Sequence, residues 1–182
     1  VSKFSVYDNT MDKLVELPLN QAIDVATTLL QETNAVLPVS TQMLERLRLN
    51  LDDEMGMKRI LKMLIMYGAP SPILTDQLLE LLQISEYPKS IIECTAALAG
   101  NNEKNLEKII MSFQDFIHSA GDGVLWLNII GALSELELTS ERLRIRVFKL
   151  ITESLDIVEE EDVPIVVRTL LHTVTKSTAQ QI

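Results

Sequence analysis

The sequence predicts an all-α protein, a HEAT/ARM-like α-solenoid of stacked antiparallel helix pairs. Three observations predict it. Amphipathic segments of similar length follow one another from end to end. Short breaks separate them: Gly68-Ala69-Pro70-Ser71-Pro72, Tyr87-Pro88, Gly100-Asn101-Asn102, Gly121-Asp122-Gly123 and Glu161-Asp162-Val163-Pro164. The breaks that open alternate helices recur roughly every 35 to 40 residues, the period of a stacked helix-pair repeat. Such a chain builds a surface for holding other macromolecules rather than a pocket for chemistry.

The elements follow in order. Residues 1–16 read as irregular. Leu17-Pro18-Leu19 starts a helix, since Pro is tolerated in a first turn, and Ala22, Ile23, Ala26, Leu29 and Leu30 continue it at helical spacing. Ser40 or Thr41 caps a short helix with Met43, Leu44 and Leu47. Asp52-Asp53 places acids at the positive end of the next helix, whose stripe is Met57, Ile60, Leu61, Leu64 and Ile65. Gly68 stops it. Ile73, Leu74, Leu78, Leu81 and Leu82 form another stripe after Pro72. Pro88 opens a helix with Ile91, Ile92, Ala96 and Leu98, which closes at Gly100.

The helix after Asn102 is the cleanest amphipath. Leu106, Ile109, Ile110, Phe113, Phe116 and Ile117 lie on one face; Glu103, Lys104, Glu107, Lys108, Gln114 and Asp115 lie on the other. Val124 to Leu136 is apolar nearly all round, which marks an inner helix covered on more than one side. Thr139 or Ser140 caps a helix with Leu143, Val147, Leu150, Ile151 and Leu155. Pro164 opens the last one, with Ile165, Val167, Leu170, Leu171 and Val174. The total is about eight or nine helices. The expected core includes Leu64, Ile109, Phe113, Trp126, Ile130, Leu133, Val147, Ile151 and Leu170.

Residues 1–182 read as a single solenoid segment, expected to be a fragment of a larger helical-repeat protein. A solenoid needs polar capping repeats, and Thr178 to Ile182 follow straight after a helix without one. No signal peptide and no membrane span are expected. The lone Cys94 excludes an intramolecular disulfide and fits a reducing, intracellular compartment. A net charge of −10 disfavours a domain whose main task is gripping phosphate, and favours a protein partner.

No catalytic, metal or cofactor set is visible, so no enzyme activity, cofactor or small-molecule substrate is expected. His118 and His172 lack a Cys or His at ligand spacing; His118 is expected on helix-terminal carbonyls and His172 in a local polar contact. Cys94, among Ile92, Ala96 and Ala97, reads as a buried, inert thiol. Gly121-Asp122-Gly123 lacks the Lys-Ser/Thr of a phosphate loop and reads as a tight turn. Trp126 reads as core, with an indole N–H that needs an acceptor. The dipeptide Thr41-Gln42 is too common to carry meaning.

Charge clusters are the remaining candidates. Arg142, Arg146 and Lys149 share one helix face, with Arg144 nearby, and could contact phosphate or an acidic partner. The plainer reading is a solvated face with intrahelical pairs to Glu141, Glu153 or Asp156. Arg46 with Arg48, and Lys58 with Arg59 and Lys62, are lesser clusters of the same kind. Glu159-Glu160-Glu161-Asp162 complements the dipole of the helix opened by Pro164; the lesser reading is a docking patch for a basic partner.

Three segments carry a family resemblance. Asp162-Val163-Pro164-Ile165-Val166-Val167-Arg168-Thr169-Leu170-Leu171-His172-Thr173-Val174-Thr175 resembles a helix in the N-terminal solenoid of the Fanconi anaemia group D2 family. Ala132-Leu133-Ser134-Glu135-Leu136-Glu137-Leu138 resembles the family's preceding helix and turn. Val147-Phe148-Lys149-Leu150-Ile151-Thr152-Glu153-Ser154-Leu155 matches in the same order, and Tyr87 to Phe113 more loosely. The match covers the last third of the chain and does not extend before Asp52. The resemblance implies a nuclear scaffold in interstrand-crosslink repair. Family members pair with a paralogous solenoid, the group I protein; the pair closes around double-stranded DNA and is locked by monoubiquitination, so ubiquitin is an implied neighbour. No modified lysine and no DNA-contact residue is transferred. Two other readings stay open: a different protein-binding HEAT-like scaffold in transport, chromatin organisation or ubiquitin handling, and direct nucleic-acid binding by the Arg142, Arg146 and Lys149 face.

Overall fold

The computed structural model describes residues 17–18, 21, 24–25, 28, 53–67, 70–120, 123–155, 158–176 and 178–179. Among them there is no strand. Seven α-helices follow one another: α1 (Glu54–Tyr67), α2 (Pro72–Leu82), α3 (Pro88–Ala97), α4 (Glu103–Ala120), α5 (Gly123–Ser134), α6 (Glu141–Thr152) and α7 (Val163–Thr173). A 3-10 turn, Glu160–Asp162, leads into α7. Gln21, Asp24, Val25 and Thr28 are also helical, and the Thr28 hydroxyl donates to the Asp24 carbonyl, 2.8 Å away. The expected short helix around Met43 to Leu47, together with Arg46, Arg48, Thr41-Gln42 and the turn residues Gly121 and Asp122, lies outside the described residues.

Contacts divide the chain into two compact units: Val1–Ala69 with Ile84–Ser90, and Pro70–Gln83 with Ile91–Ile182. The boundary falls within α3. In the first unit α1 starts as the sequence predicts. Asp53 Oδ1 accepts the Gly56 N–H at 2.9 Å, which satisfies one of the free donors of the first turn. Met57, Ile60, Leu61 and Leu64 are buried, but Ile65 is exposed. Lys58 forms an ion pair with Glu54 one turn away, and Arg59 reaches Asp24 at 3.9 Å.

In the second unit, α2, α4 and α6 form one row: α2 packs on α4, and α4 packs on α6. A second row is formed by α5 and α7, which pack on each other. The rows meet where α4 packs on α5 and α6 on α7. The core of this unit includes Leu78, Leu82, Ile91, Ile92, Ile109, Phe113, Trp126, Ile130, Leu133, Val147 and Ile151. The all-round apolar α5 is covered by both α4 and α7, the inner position that its composition requires. At one point α5 and α7 approach closely: a Cβ built on Gly131 would lie 3.2 Å from Ile165 Cδ1.

The turn between α3 and α4 depends on glycine and on one buried amide. Gly100 has φ +65°, and a Cβ there would lie 2.9 Å from Pro70 Cβ, so backbone and space both select glycine. Asn102 Oδ1 caps α4 by accepting the Asn105 N–H at 3.0 Å. Asn105 is itself buried: its Nδ2 donates to the Ala99 carbonyl and its Oδ1 accepts from Thr75 Oγ1, each at 2.8 Å.

The burial pattern corrects the expected face of the last helix. Val167 and Leu171 are exposed and Leu170 is only half-buried; Val166, Thr169 and Thr173 face inward instead. Threonine can occupy the inner face because its hydroxyl bonds locally. Thr169 Oγ1 donates to the Ile165 carbonyl at 2.8 Å and also lies 3.4 Å from the Ile130 carbonyl of α5. Two other stripes are trimmed: Ile73 at the start of α2 is exposed, and so is Leu155, which lies beyond the end of α6.

Candidate interaction surface

The basic residues singled out in the sequence lie on α6, in the row formed with α2 and α4. Ser140 is the N-cap of α6 in extended conformation, and Glu141 puts an acid in its first turn. The inward face carries Leu143, Val147, Leu150 and Ile151, which leaves Arg142, Arg146 and Lys149 toward the outside.

The guanidinium groups of Arg142 and Arg146 converge on one carboxylate. Glu107 Oε1, on α4, accepts from Arg142 Nη2 and lies 3.5 Å from Arg146 Nη1. Next to it in sequence, Lys108 pairs with Asp76 of α2 at 2.6 Å. The row is thus crossed by two sets of ion pairs, Asp76 with Lys108 and Glu107 with the two arginines. These pairs run between helices. Lys149 is exposed and has no ion pair among the described residues. The other clusters behave similarly: Lys58 and Arg59 are paired, and Lys62 is exposed.

Arg144 has a different setting. Its Nη2 lies 3.5 Å from the Thr139 carbonyl, and its buried Nε has no hydrogen-bond partner among the described residues. Arg144 also lines an open cleft of about 640 Å³ with Glu141, Val174, Thr175, Lys176 and Ala179. On one side of this cleft the chain turns tightly: the Ala179 N–H donates to the Thr175 carbonyl at 3.0 Å, and the Thr175 N–H donates to Thr178 Oγ1 at 2.9 Å.

Cys94 is fully buried in α3, and burial pushes its thiol pKa up to about 12. A group held in its neutral form is a poor nucleophile, in line with the sequence reading. His172 differs from expectation. Its Nε2 lies 3.1 Å from the Leu136 carbonyl, a contact between α7 and the end of α5 rather than a local one. The side chain of His118, exposed in the last turn of α4, has no hydrogen bond among the described residues. Trp126 is core as expected, but its Nε1 has no acceptor among the described residues. No group of three His, Cys, Asp or Glu among the described residues is placed to hold a metal. Among the described residues no helix is long and apolar enough to cross a membrane.

Sequence reasoning missed Glu107 as the partner of both arginines, and missed Asn105 as a buried hydrogen-bond node. The i,i+4 spacing of Arg142 and Arg146 signals a shared face, and Glu107 stands on the polar face of α4. Nothing in the sequence says that those faces adjoin.

Comparison with protein-family models, curated proteins and solved structures returns no match to this chain.

Proposed function

We propose that this chain is a non-catalytic scaffold segment of a HEAT-like α-solenoid, acting in interstrand-crosslink repair as a relative of the Fanconi anaemia group D2 family. The observation that carries the reading is a coincidence of sequence and packing. The resembling segments Ala132 to Leu138, Val147 to Leu155 and Asp162 to Thr175 map onto the end of α5, the second half of α6 and the whole of α7. The packing of α7 on both α5 and α6 makes them one contiguous body. Packing between alternate helices, α2 on α4 on α6 and α5 on α7, is the order a stack of helix pairs requires.

On this reading the mechanism is geometric. Repeated helix pairs fix a surface, and the surface positions partners. The partner is a group I paralogue, double-stranded DNA is held by the full-length pair, ubiquitin is a neighbour, and the site of action is the nucleus. Direct phosphate binding by α6 is the less favoured route, because Glu107 already occupies the two arginines and a phosphate would have to displace it. The decisive experiment is co-purification of the full-length parent protein with its group I paralogue from crosslinker-treated nuclei. Recovery of the pair is the expected result; its repeated absence sinks the repair assignment, although the stacked-helix reading survives.

A further inference from the structure

The open cleft between the start of α6 and the chain just after α7 holds two cations that form no ion pair among the described residues, Arg144 and Lys176. Arg59, Arg142, Arg146 and Arg168 are each paired with an acid elsewhere in the chain; Arg144 is the one arginine among the described residues that is not. Its donors are poorly used. Nη2 has only the 3.5 Å contact to the Thr139 carbonyl, and the buried Nε has no hydrogen-bond partner among the described residues. A desolvated N–H without an acceptor is destabilising. The planar guanidinium fork matches one ligand group above others, a carboxylate that accepts two parallel N–H···O bonds. Lys176, exposed on the wall that follows α7, adds a second positive charge to the same cleft.

The rest of the lining narrows the ligand. Glu141 stands in the cleft with the two cations, which leaves one positive charge in excess among its described lining residues. A single carboxylate neutralises that excess, whereas a phosphate dianion overshoots it and is repelled by Glu141. Val174 and Ala179 supply apolar surface for the methylene stem of an acidic side chain. The volume, about 640 Å³, is more than one side chain fills and suits a short segment of chain. We propose that this cleft binds a short acidic peptide segment of a partner protein, with one carboxylate seated between Arg144 and Lys176. Capture turns the guanidinium into the cleft, so that Nε and Nη2 both gain an acceptor. The net charge of −10 opposes an acidic ligand at long range, but at physiological salt that repulsion is screened beyond about 8 Å and the two local cations prevail. This proposal does not depend on the repair assignment.

The test uses the full 182-residue chain and a short fluorescent peptide with Glu side chains in an Ala and Val background. Binding is read by anisotropy at physiological salt. Saturable binding is expected, weakened about tenfold by Arg144→Gln, which removes a charge-assisted pair. Arg144→Lys keeps the charge without the fork and should recover only part of the loss. Lys176→Gln, at an exposed site, should weaken binding about twofold. Urea unfolding checks that the variants stay folded; Lys176→Glu, exposed and repulsive to the probe, serves in place of an Arg144 variant that does not. The proposal is overturned if the Glu probe does not saturate, if a probe with every Glu replaced by Gln binds as tightly, or if the Arg144 and Lys176 variants bind like the wild type. A phosphoserine probe that binds more tightly than the Glu probe overturns the stated ligand and assigns the cleft to phosphate.

Discussion

Thr75, Asn105 and the Ala99 carbonyl form a buried hydrogen-bond chain that joins α2, the turn after α3 and the start of α4. Each partner satisfies a group that would otherwise be desolvated without compensation. Thr75→Val keeps the shape and removes the donor, so it should cost about 1–3 kcal/mol in urea unfolding. Asn105→Ala also orphans the Ala99 carbonyl and should cost more. The two changes should fall short of additivity by about 0.5–3 kcal/mol; strict additivity would mean that the 2.8 Å contact contributes nothing. Cys94 gives a second prediction at this scale. Its thiol pKa is raised by burial to about 12 from an ordinary 9.0, so the native state binds the proton more tightly than the unfolded chain does. That contribution to stability is fully present below about pH 9 and is lost as pH rises toward 12. Cys94→Ala should show a shallower fall in stability over that window, and in the wild type a thiol reagent at pH 8 should label Cys94 only after denaturant is added. Rapid labelling of the native protein would contradict the buried placement.

Among the elements, α4 and α5 were the most legible. The apolar residues Leu106, Ile109, Ile110 and Phe113 are fully buried, and the polar ones Glu103, Lys104, Lys108 and Asp115 are exposed. A long helix with charges on one side leaves only one way to face the core. Phe113→Ala and Ile130→Ala should each cost about 2–5 kcal/mol, read from the midpoint and slope of denaturant unfolding. Unchanged midpoints in both would mean that the assigned faces are wrong. By contrast α7 was misread. Its clearest apolar stripe, Val163, Val167 and Leu171, is the one that stays exposed, so the hydrophobic pattern names a side that the fold does not bury. Burial of Thr169 and Thr173 is invisible to a hydrophobic pattern, because it depends on hydroxyls that bond backbone carbonyls once the helix exists.

At the scale of the whole molecule, charge decides which partners are reached without assistance. The chain carries a net −10, and two of its outward arginines are engaged by Glu107. Titration with double-stranded DNA at physiological salt should therefore show no tight binding. Glu107→Gln frees both guanidinium groups and should raise affinity at low salt, with a steeper salt dependence. The same change should cost only about 0.2–1 kcal/mol of stability, because these pairs are partly exposed. Tight, salt-sensitive binding by the wild type would overturn the view that DNA is reached only through a partner.

The sequence by itself determined the helical class, the breaks at Pro72, Pro88 and Gly100, the core face of α4 and the all-round apolar character of α5. These follow from local rules: period 3.6, proline and glycine at boundaries, and acids in first turns. The tertiary structure alone decided that α2, α4 and α6 share a row, that Glu107 meets Arg142 and Arg146, that Asn105 is buried, and that α7 turns Val167 and Leu171 outward while Val166 and Thr169 face inward. Each of these depends on groups about 30 or more residues apart meeting in space, and no local pattern encodes which faces adjoin.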